Sequence, residues 1–417
     1  MEERNPHGTA RCPSAAVHGV KARPVEVEVT ITGGRTRVQI VGLPDMAVRE
    51  SRDRVRSAIV NSGFEFPREY QVIVNLAPAN RRKVGPLYDL PMALSILAAS
   101  GSLPRDELAR WLVLGELALD GRVRPIRGAL PVAMYAKTTG RRRLLLPAAN
   151  AREAGLCRDL EVVPVRSLAE AAMVVAGEVE IDPIRTDASD FLRTFDDHDF
   201  ADVRGQALAK RALEVAASGG HNVLLNGPPG AGKTMLARRL PTILPPLTLD
   251  EALEATTVHS VAGELGHSVL VSRPPFRAPH HTVSSAGLLG GGNFARPGEA
   301  SLAHRGVLFL DELPEFDRRT LDGLRQPIEE GVVRISRVNY AVRYPARFLM
   351  VAAMNPCRCG NHGRRDVECT CTPAQVNAYR GRISGPLLDR IDLCLDVPRP
   401  TFTELSGDPP GEGSAEI

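Results

Sequence analysis

The run Gly227-Pro228-Pro229-Gly230-Ala231-Gly232-Lys233-Thr234 meets every fixed position of the pattern G-x-x-x-x-G-K-[ST], in which a backbone loop wraps a phosphate chain. Its glycines leave successive N–H groups free to converge on phosphate oxygens, where side chains would obstruct them, and a following helix would add the positive end of its dipole. Lys233 is expected to reach the β- and γ-phosphates, and the Thr234 hydroxyl to ligate Mg²⁺. A glycine turn that binds nothing is the weaker account, because a lysine followed by a hydroxyl at this offset has no evident structural use. The acidic partner of such a loop stands in Gly306-Val307-Leu308-Phe309-Leu310-Asp311-Glu312, an apolar run suited to a strand covered on both faces and ending in two carboxylates. There Asp311 would hold the Mg²⁺ shell and Glu312 would orient the attacking water. ATP and Mg²⁺ are the expected cofactors.

Two further groups of residues carry chemistry. Cys357-x-Cys359 and Cys369-x-Cys371 are pairs nine residues apart, and four thiols of this kind suit a closed tetrahedral zinc site. The C-x-C spacing is tighter than the usual C-x₂-C, and free buried thiols are the alternative. Residues 332–348 read as a β-hairpin carrying Arg334, Arg337 and Arg343, either a nucleic-acid contact or a solvated face. His280 and His281 are adjacent on what reads as extended chain, so their rings are expected on opposite faces, serving a loop and not a metal. The glycines at 290–292 are expected to make that loop mobile.

The elements that must position these groups follow from periodicity. Val223-Leu224-Leu225 is a short buried strand ahead of the phosphate loop, and residues 235–240 are helix formers after it. Leu321, Leu324 and Ile328 predict a helix ending at Gly331, and residues 348–353 a strand ending near Asn355. Earlier in the chain, Val25 to Val29 alternates with period two and residues 38–41 form a second strand. A helix is predicted over 45–61, a strand over 72–76, a helix over 90–97 and a strand over 144–146. That region is α/β and has no phosphate loop.

The chain has 417 residues, 43% of them hydrophobic, enough for two or three domains with real cores. A formal net charge of +3 does not announce a nucleic-acid binder, and clusters such as Arg141-Arg142-Arg143 suit solvated faces. No apolar run has the length of a signal or a membrane span, and seven cysteines, four of them crowded together, argue against a disulfide framework. A cytoplasmic protein with no membrane association is expected.

Residues 40–45 (Ile-Val-Gly-Leu-Pro-Asp), 75–78 (Asn-Leu-Ala-Pro) and 83–91 (Lys-Val-Gly-Pro-Leu-Tyr-Asp-Leu-Pro) resemble the N-terminal domain of the magnesium-chelatase-like AAA+ ATPases of the YifB/ComM family. The stretches 273–304 and 382–392 are close to the family pattern as well. The resemblance implies a Lon-protease-like α/β domain followed by a P-loop AAA+ parallel-sheet α/β domain. Where Lon has its catalytic serine and lysine, this sequence has Leu87 and, near the lysine position, Val132. A platform without peptidase chemistry is therefore expected. The resemblance further implies that Val203 and Gln206 border the adenine, that Asn355 is a sensor helping to hold the attacking water, and that the arginine hairpin faces a central pore. It also implies that Arg390 reaches the γ-phosphate bound by a neighbouring subunit, hence a ring, expected to be a hexamer.

The expected organisation is a flexible N-terminus (1–16), a Lon-like domain (17–181), an acidic linker (182–201), the AAA+ domain (202–400) and a disordered tail (401–417). The family continues past Pro400 into a helical lid with another arginine sensor, where this sequence has the tail, and weak hydrolysis is expected from that departure. The function implied is ATP hydrolysis coupled to DNA remodelling, such as branch migration. A chelatase-type motor that inserts Mg²⁺ into a porphyrin, and a nucleotide-switched adaptor without turnover, are the alternatives.

Overall fold

Alternation in β2 (Lys21–Gly33) puts Val25, Val27, Val29 and Ile31 on one buried face and leaves Glu26, Glu28 and Thr30 partly exposed. With β1 (Gly8–His18), β3 (Arg37–Val41) and β4 (Tyr70–Ala77) it forms a four-stranded sheet in the order β1-β2-β4-β3. Both neighbours of β2 are antiparallel to it, and β3 runs parallel to β4. The computed structural model describes residues 8–191, 198–266, 268–292, 295–337, 340–364, 366–401 and 412–417. It divides into one unit up to Ala188 with Ser260–Val269, and a second formed by Ser189–His259 and Leu270 onward.

The first unit corrects the expectation of a flexible N-terminus, as far as residues 8–16 are concerned. They belong to β1, which pairs with β2 from Gly8 opposite Ile31 to His18 opposite Lys21. Small residues (Ala10, Cys12, Ser14) lie buried on one face, so it has no apolar run to betray it, and Pro13 is tolerated because β1 is an edge strand. Among the helices of this unit are α1 (Met46–Asn61), capped by Asp45 accepting from the Val48 N–H at 2.8 Å, and α2 (Asp89–Ala99), all of whose residues are buried. Asp89 is fully buried, and the Arg54 guanidinium meets both its oxygens at 2.9 and 3.2 Å.

Leu87 lies in the turn before α2 and packs against the core, and Val132 is buried in the helix Ala129–Thr138. A second sheet, of three parallel strands, is formed by Trp111–Val113, Arg143–Pro147 and Glu161–Val165. The start of the expected linker is tied to this unit: Ile184 N–H donates to Val162 O at 2.8 Å and Thr186 N–H to Gly155 O at 3.1 Å. Asp196 and Asp197 lie outside the described residues. Among the described residues no helix is long and apolar enough to cross a membrane.

The second unit is built on a five-stranded, wholly parallel sheet. Its order is Phe276–Arg277, Val307–Leu310, Leu349–Met354, Val223–Asn226, Leu393–Asp396. Short apolar runs suit strands covered on both faces, and Val307–Leu310 and Leu349–Met354 are buried throughout. Parallel strands bring their carboxyl ends to one edge, so the residues after Asn226, Leu310 and Met354 are neighbours despite their separation in sequence.

Three expectations in this unit are revised. The helix predicted from Leu321 to Gly331 is two short helices, Arg318–Asp322 and Arg325–Glu330, broken at Gly323, where an added Cβ would lie 2.4 Å from Leu289 Cδ1. The glycine segment is not an open loop, since Gly290 and Gly291 pair with Pro297 and Arg296 in a short antiparallel ladder. Of the expected tail, residues 402–411 lie outside the described residues. Ser414, however, is held in place: its hydroxyl accepts from the Phe200 N–H at 2.9 Å, and its own N–H donates to Asp199 Oδ1 at 3.0 Å.

His304 gives this unit a measurable acid response. Its ring is 2% exposed, Nδ1 accepts from the Arg347 N–H at 3.1 Å and Nε2 lies 3.4 Å from Glu254. Burial, helped by the Arg305 charge, lowers its pKa to about 4. The unfolded chain then binds the proton more readily than the folded one. The stabilisation from a neutral His304 is complete above pH 6.5 and is lost as the pH falls towards 4, amounting to about 3 kcal/mol. Thermal melts of wild type and His304→Gln over this range should show a shallower acid slope in the variant. Identical slopes would refute the assignment.

Candidate nucleotide site

The phosphate loop joins the strand Val223–Asn226 to the helix Lys233–Arg239. Gly230 (φ 77°) and Gly232 (φ 87°) take left-handed conformations that a side chain would strain, and a Cβ on Gly227 would lie 2.2 Å from Val397 O. The Lys233 ammonium donates to Gly227 O at 2.5 Å, Pro228 O at 3.0 Å and Asn355 Oδ1 at 3.1 Å. Burial lowers its pKa, against the pull of Asp311 and Glu312. Three donors aimed at neutral oxygens make a cation ready to exchange its partners for phosphate. A cavity of about 430 Å³ lies against the loop, lined by residues 229–235, Asp311, Glu312, Met354 and Asn355.

The carboxylates stand where the parallel edge requires. Thr234 donates its hydroxyl to Asp311 Oδ2 at 2.8 Å, and the other Asp311 oxygen accepts from the Glu312 N–H at 2.9 Å. A hydroxyl and a carboxylate side by side form a hard oxygen donor set, which fits Mg²⁺. Glu312 has a left-handed backbone (φ 53°), and its carboxylate lies 3.3 Å from His281 Nδ1. The histidine rings are not on opposite faces: their centroids are 4.1 Å apart, and His281 also meets Phe316 edge-on. Local alternation could not reveal this, because the contact is made across the sheet to residues 31 positions on or more.

Gln206 is brought to the loop. Its amide donates to Ala231 O at 3.2 Å and Pro398 O at 2.6 Å, while Val203 is fully buried in the core beneath. Neither Val203 nor Gln206 lines the cavity. Arg399, which the sequence reading passed over, donates from Nε to Pro229 O at 2.7 Å and puts a second cation beside the loop. Arg390 is not at this chain's own cavity. Its guanidinium pairs with Glu329 and with the Pro386 carbonyl, and its buried Nε has no hydrogen-bond partner.

The four cysteine sulfurs of 357, 359, 369 and 371 lie within 4.8 Å of one another, with Cys357 fully buried. The hairpin exists as strands Val332–Arg337 and Tyr340–Pro345. Val333, Ile335, Val342 and Tyr344 are buried on one face, and Arg334 stands opposite Arg343 on the exposed one. Arg334 pairs with Glu330 at 2.8 Å, and the Arg337 side chain lies outside the described residues.

Comparison with known proteins places this geometry among relatives. A family model described as magnesium chelatase, subunit ChlI, matches residues 199–405, and one described as subunit ChlI of Mg-chelatase matches residues 27–150. The chain is 45% identical over 407 residues to the uncharacterized protein YifB of Escherichia coli, covering 96% of this chain and 78% of that one. It is 44% identical over 411 residues to competence protein ComM of Haemophilus influenzae, covering 97% and 79%. Against the magnesium-chelatase 38 kDa subunit of Cereibacter sphaeroides it is 26% identical over 225 residues, covering 49% and 60%.

Proposed function

The chain belongs to the magnesium-chelatase-like YifB/ComM family of AAA+ type proteins, and from that premise we propose that it hydrolyses ATP in a ring, probing and remodelling DNA. The observation that carries the nucleotide part is the meeting of Thr234 with Asp311 and of Lys233 with Asn355, pairs 77 and 122 residues apart in sequence. In this reading the loop N–H groups and Lys233 bind the phosphates, and Thr234 and Asp311 hold Mg²⁺, which when bound neutralises charge on the β- and γ-oxygens. Glu312 and Asn355 orient the water, Gln206 and the buried Val203 support the loop from outside the cavity and do not touch the base, and Arg390 serves the site of a neighbouring subunit. The ring is expected to be hexameric and the protein cytoplasmic.

The DNA part is supported by the hairpin. Arg334, which pairs with Glu330 at 2.8 Å, and Arg343 are directly opposite on an exposed face, two cations side by side of the kind that meet a phosphate chain. The name of the competence protein points the same way. With aromatics only 4% of the chain, stacking is limited and the contact should be electrostatic and indifferent to sequence. Forked DNA should raise the ATPase rate at low salt, and Arg334→Ala with Arg343→Ala should reduce that stimulation and flatten its salt dependence by about 1.5 in the log–log slope. A rate and a binding signal that ignore DNA would favour a chelatase-type motor answering to porphyrin and partner subunits, in line with the weaker similarity to the chelatase subunit.

A further inference from the structure

We propose that Cys357, Cys359, Cys369 and Cys371 bind one zinc ion, and that the turn they pin is the backstop of the phosphate loop, so that metal occupancy sets ATP affinity. The coupling rests on the nucleotide reading above. The metal rests on the thiols themselves. Sulfur separations are 3.3 Å (357 to 359), 3.7 Å (357 to 369) and 3.6 Å (359 to 369). A disulfide would need about 2.05 Å, so none of these pairs is bonded. Tetrahedral zinc with Zn–S near 2.3 Å sets its ligands about 3.8 Å apart, close to what is seen. The His362 N–H points at Cys357 Sγ at 3.3 Å, as backbone donors do around bound thiolates. Four soft donors and no carboxylate select zinc over Mg²⁺ and leave no open position for catalysis.

Two contacts join this cluster to the phosphate loop. Asn355, which accepts from Lys233, is two residues before Cys357. On the far side of the turn, Gly360 directly follows Cys359 and rests on the loop: an added Cβ would lie 2.7 Å from Pro229 Cδ. Gly360 is held by its N–H donating to Cys357 O at 3.0 Å and takes φ 81°. Pro229 and Lys233, both lining the cavity, are thus each backed by a residue within two positions of a sulfur ligand. In this proposal the metal cross-links the two cysteine pairs, and losing that link loosens both supports.

The test uses the full chain, elemental analysis for zinc and a fluorescent ATP analogue for affinity. Wild type should carry about one zinc per chain. Cys369→Ser with Cys371→Ser should lose it and bind ATP at least about tenfold more weakly. Gly360→Ala, which leaves all four thiols in place, should keep its zinc and its fold, at a small cost in melting temperature from the left-handed backbone, yet bind ATP about fivefold more weakly. It decides the matter if the serine variant does not fold. By linkage, Mg·ATP should also raise the affinity for zinc, so that less metal passes to a chelating dye at equilibrium. Zinc-free wild type overturns the metal site. Zinc-replete wild type with unchanged ATP affinity in Gly360→Ala overturns the coupling. A wild type that binds no ATP overturns the nucleotide reading, and the coupling with it.

Discussion

Lys233→Ala is expected to weaken ATP binding by at least about 100-fold, while Glu312→Gln binds ATP as wild type does and loses about 10²- to 10³-fold in turnover. The two residues act on different steps. Lys233 has its three donors on Gly227 O, Pro228 O and Asn355 Oδ1, so phosphate binding exchanges neutral oxygens for charged ones. Charge-assisted bonds are each worth about 1.5–3 kcal/mol, and two of them account for the loss. Glu312 touches neither Lys233 nor Thr234 in the hydrogen bonds seen; its carboxylate is held by His281. Its amide counterpart keeps the size and loses the charge that acts on water. Equal affinity of wild type and Lys233→Ala for the analogue would remove the phosphate-loop assignment, and normal turnover by Glu312→Gln would remove that of the water-orienting acid.

Arg390→Ala should lower turnover by about 10³-fold with ATP still bound if, as proposed, the arginine acts on a neighbour's γ-phosphate. Its pairing with Glu329 offers a competing account, in which Arg390 merely braces the end of the helix Arg325–Glu330. Two measurements separate them. Glu329→Gln breaks the same pair and should retain turnover, since the guanidinium remains free to cross a subunit boundary. Mixing Arg390→Ala with Glu312→Gln should restore activity, because some boundaries then combine an intact Glu312 from one chain with an intact Arg390 from the other. No recovery on mixing, together with a comparable loss in Glu329→Gln, would leave Arg390 a structural residue.

What was legible in the sequence was whatever chemistry forces into a fixed local order. The phosphate loop must be contiguous, since one stretch of backbone surrounds the phosphates, and the acids must follow a buried strand; the Thr234 hydroxyl lies 2.8 Å from Asp311 Oδ2. The parallel sheet was legible for the same reason, as short apolar runs have few other homes. Hidden features were those made by tertiary contact alone. Arg399 reads as one of many surface arginines until the strand Leu393–Asp396 delivers it to Pro229. His281 reads as half of an extended dipeptide until Glu312 lies beside it. β1 is made of residues too small and mixed to carry a period, and only its eleven paired positions with β2 reveal it.

The place of the strand Val223–Asn226 in its sheet has a consequence for how the chain is made. It lies between Leu349–Met354 and Leu393–Asp396, with Asn226 opposite Asp396, 170 residues later. During synthesis the phosphate loop emerges long before either of the strands that hold it. At about 5–20 residues per second, the gap to the second of them is roughly ten to thirty seconds. Until the first of them emerges an apolar strand has both hydrogen-bonding edges bare on the ribosome, and until the second emerges it still has one, the exposure that invites mispairing with other nascent chains. The nucleotide site is therefore among the last parts of this unit to mature. Pauses or truncations before residue 396 should yield a product that is sticky and unable to bind nucleotide, however complete its phosphate loop may be in sequence.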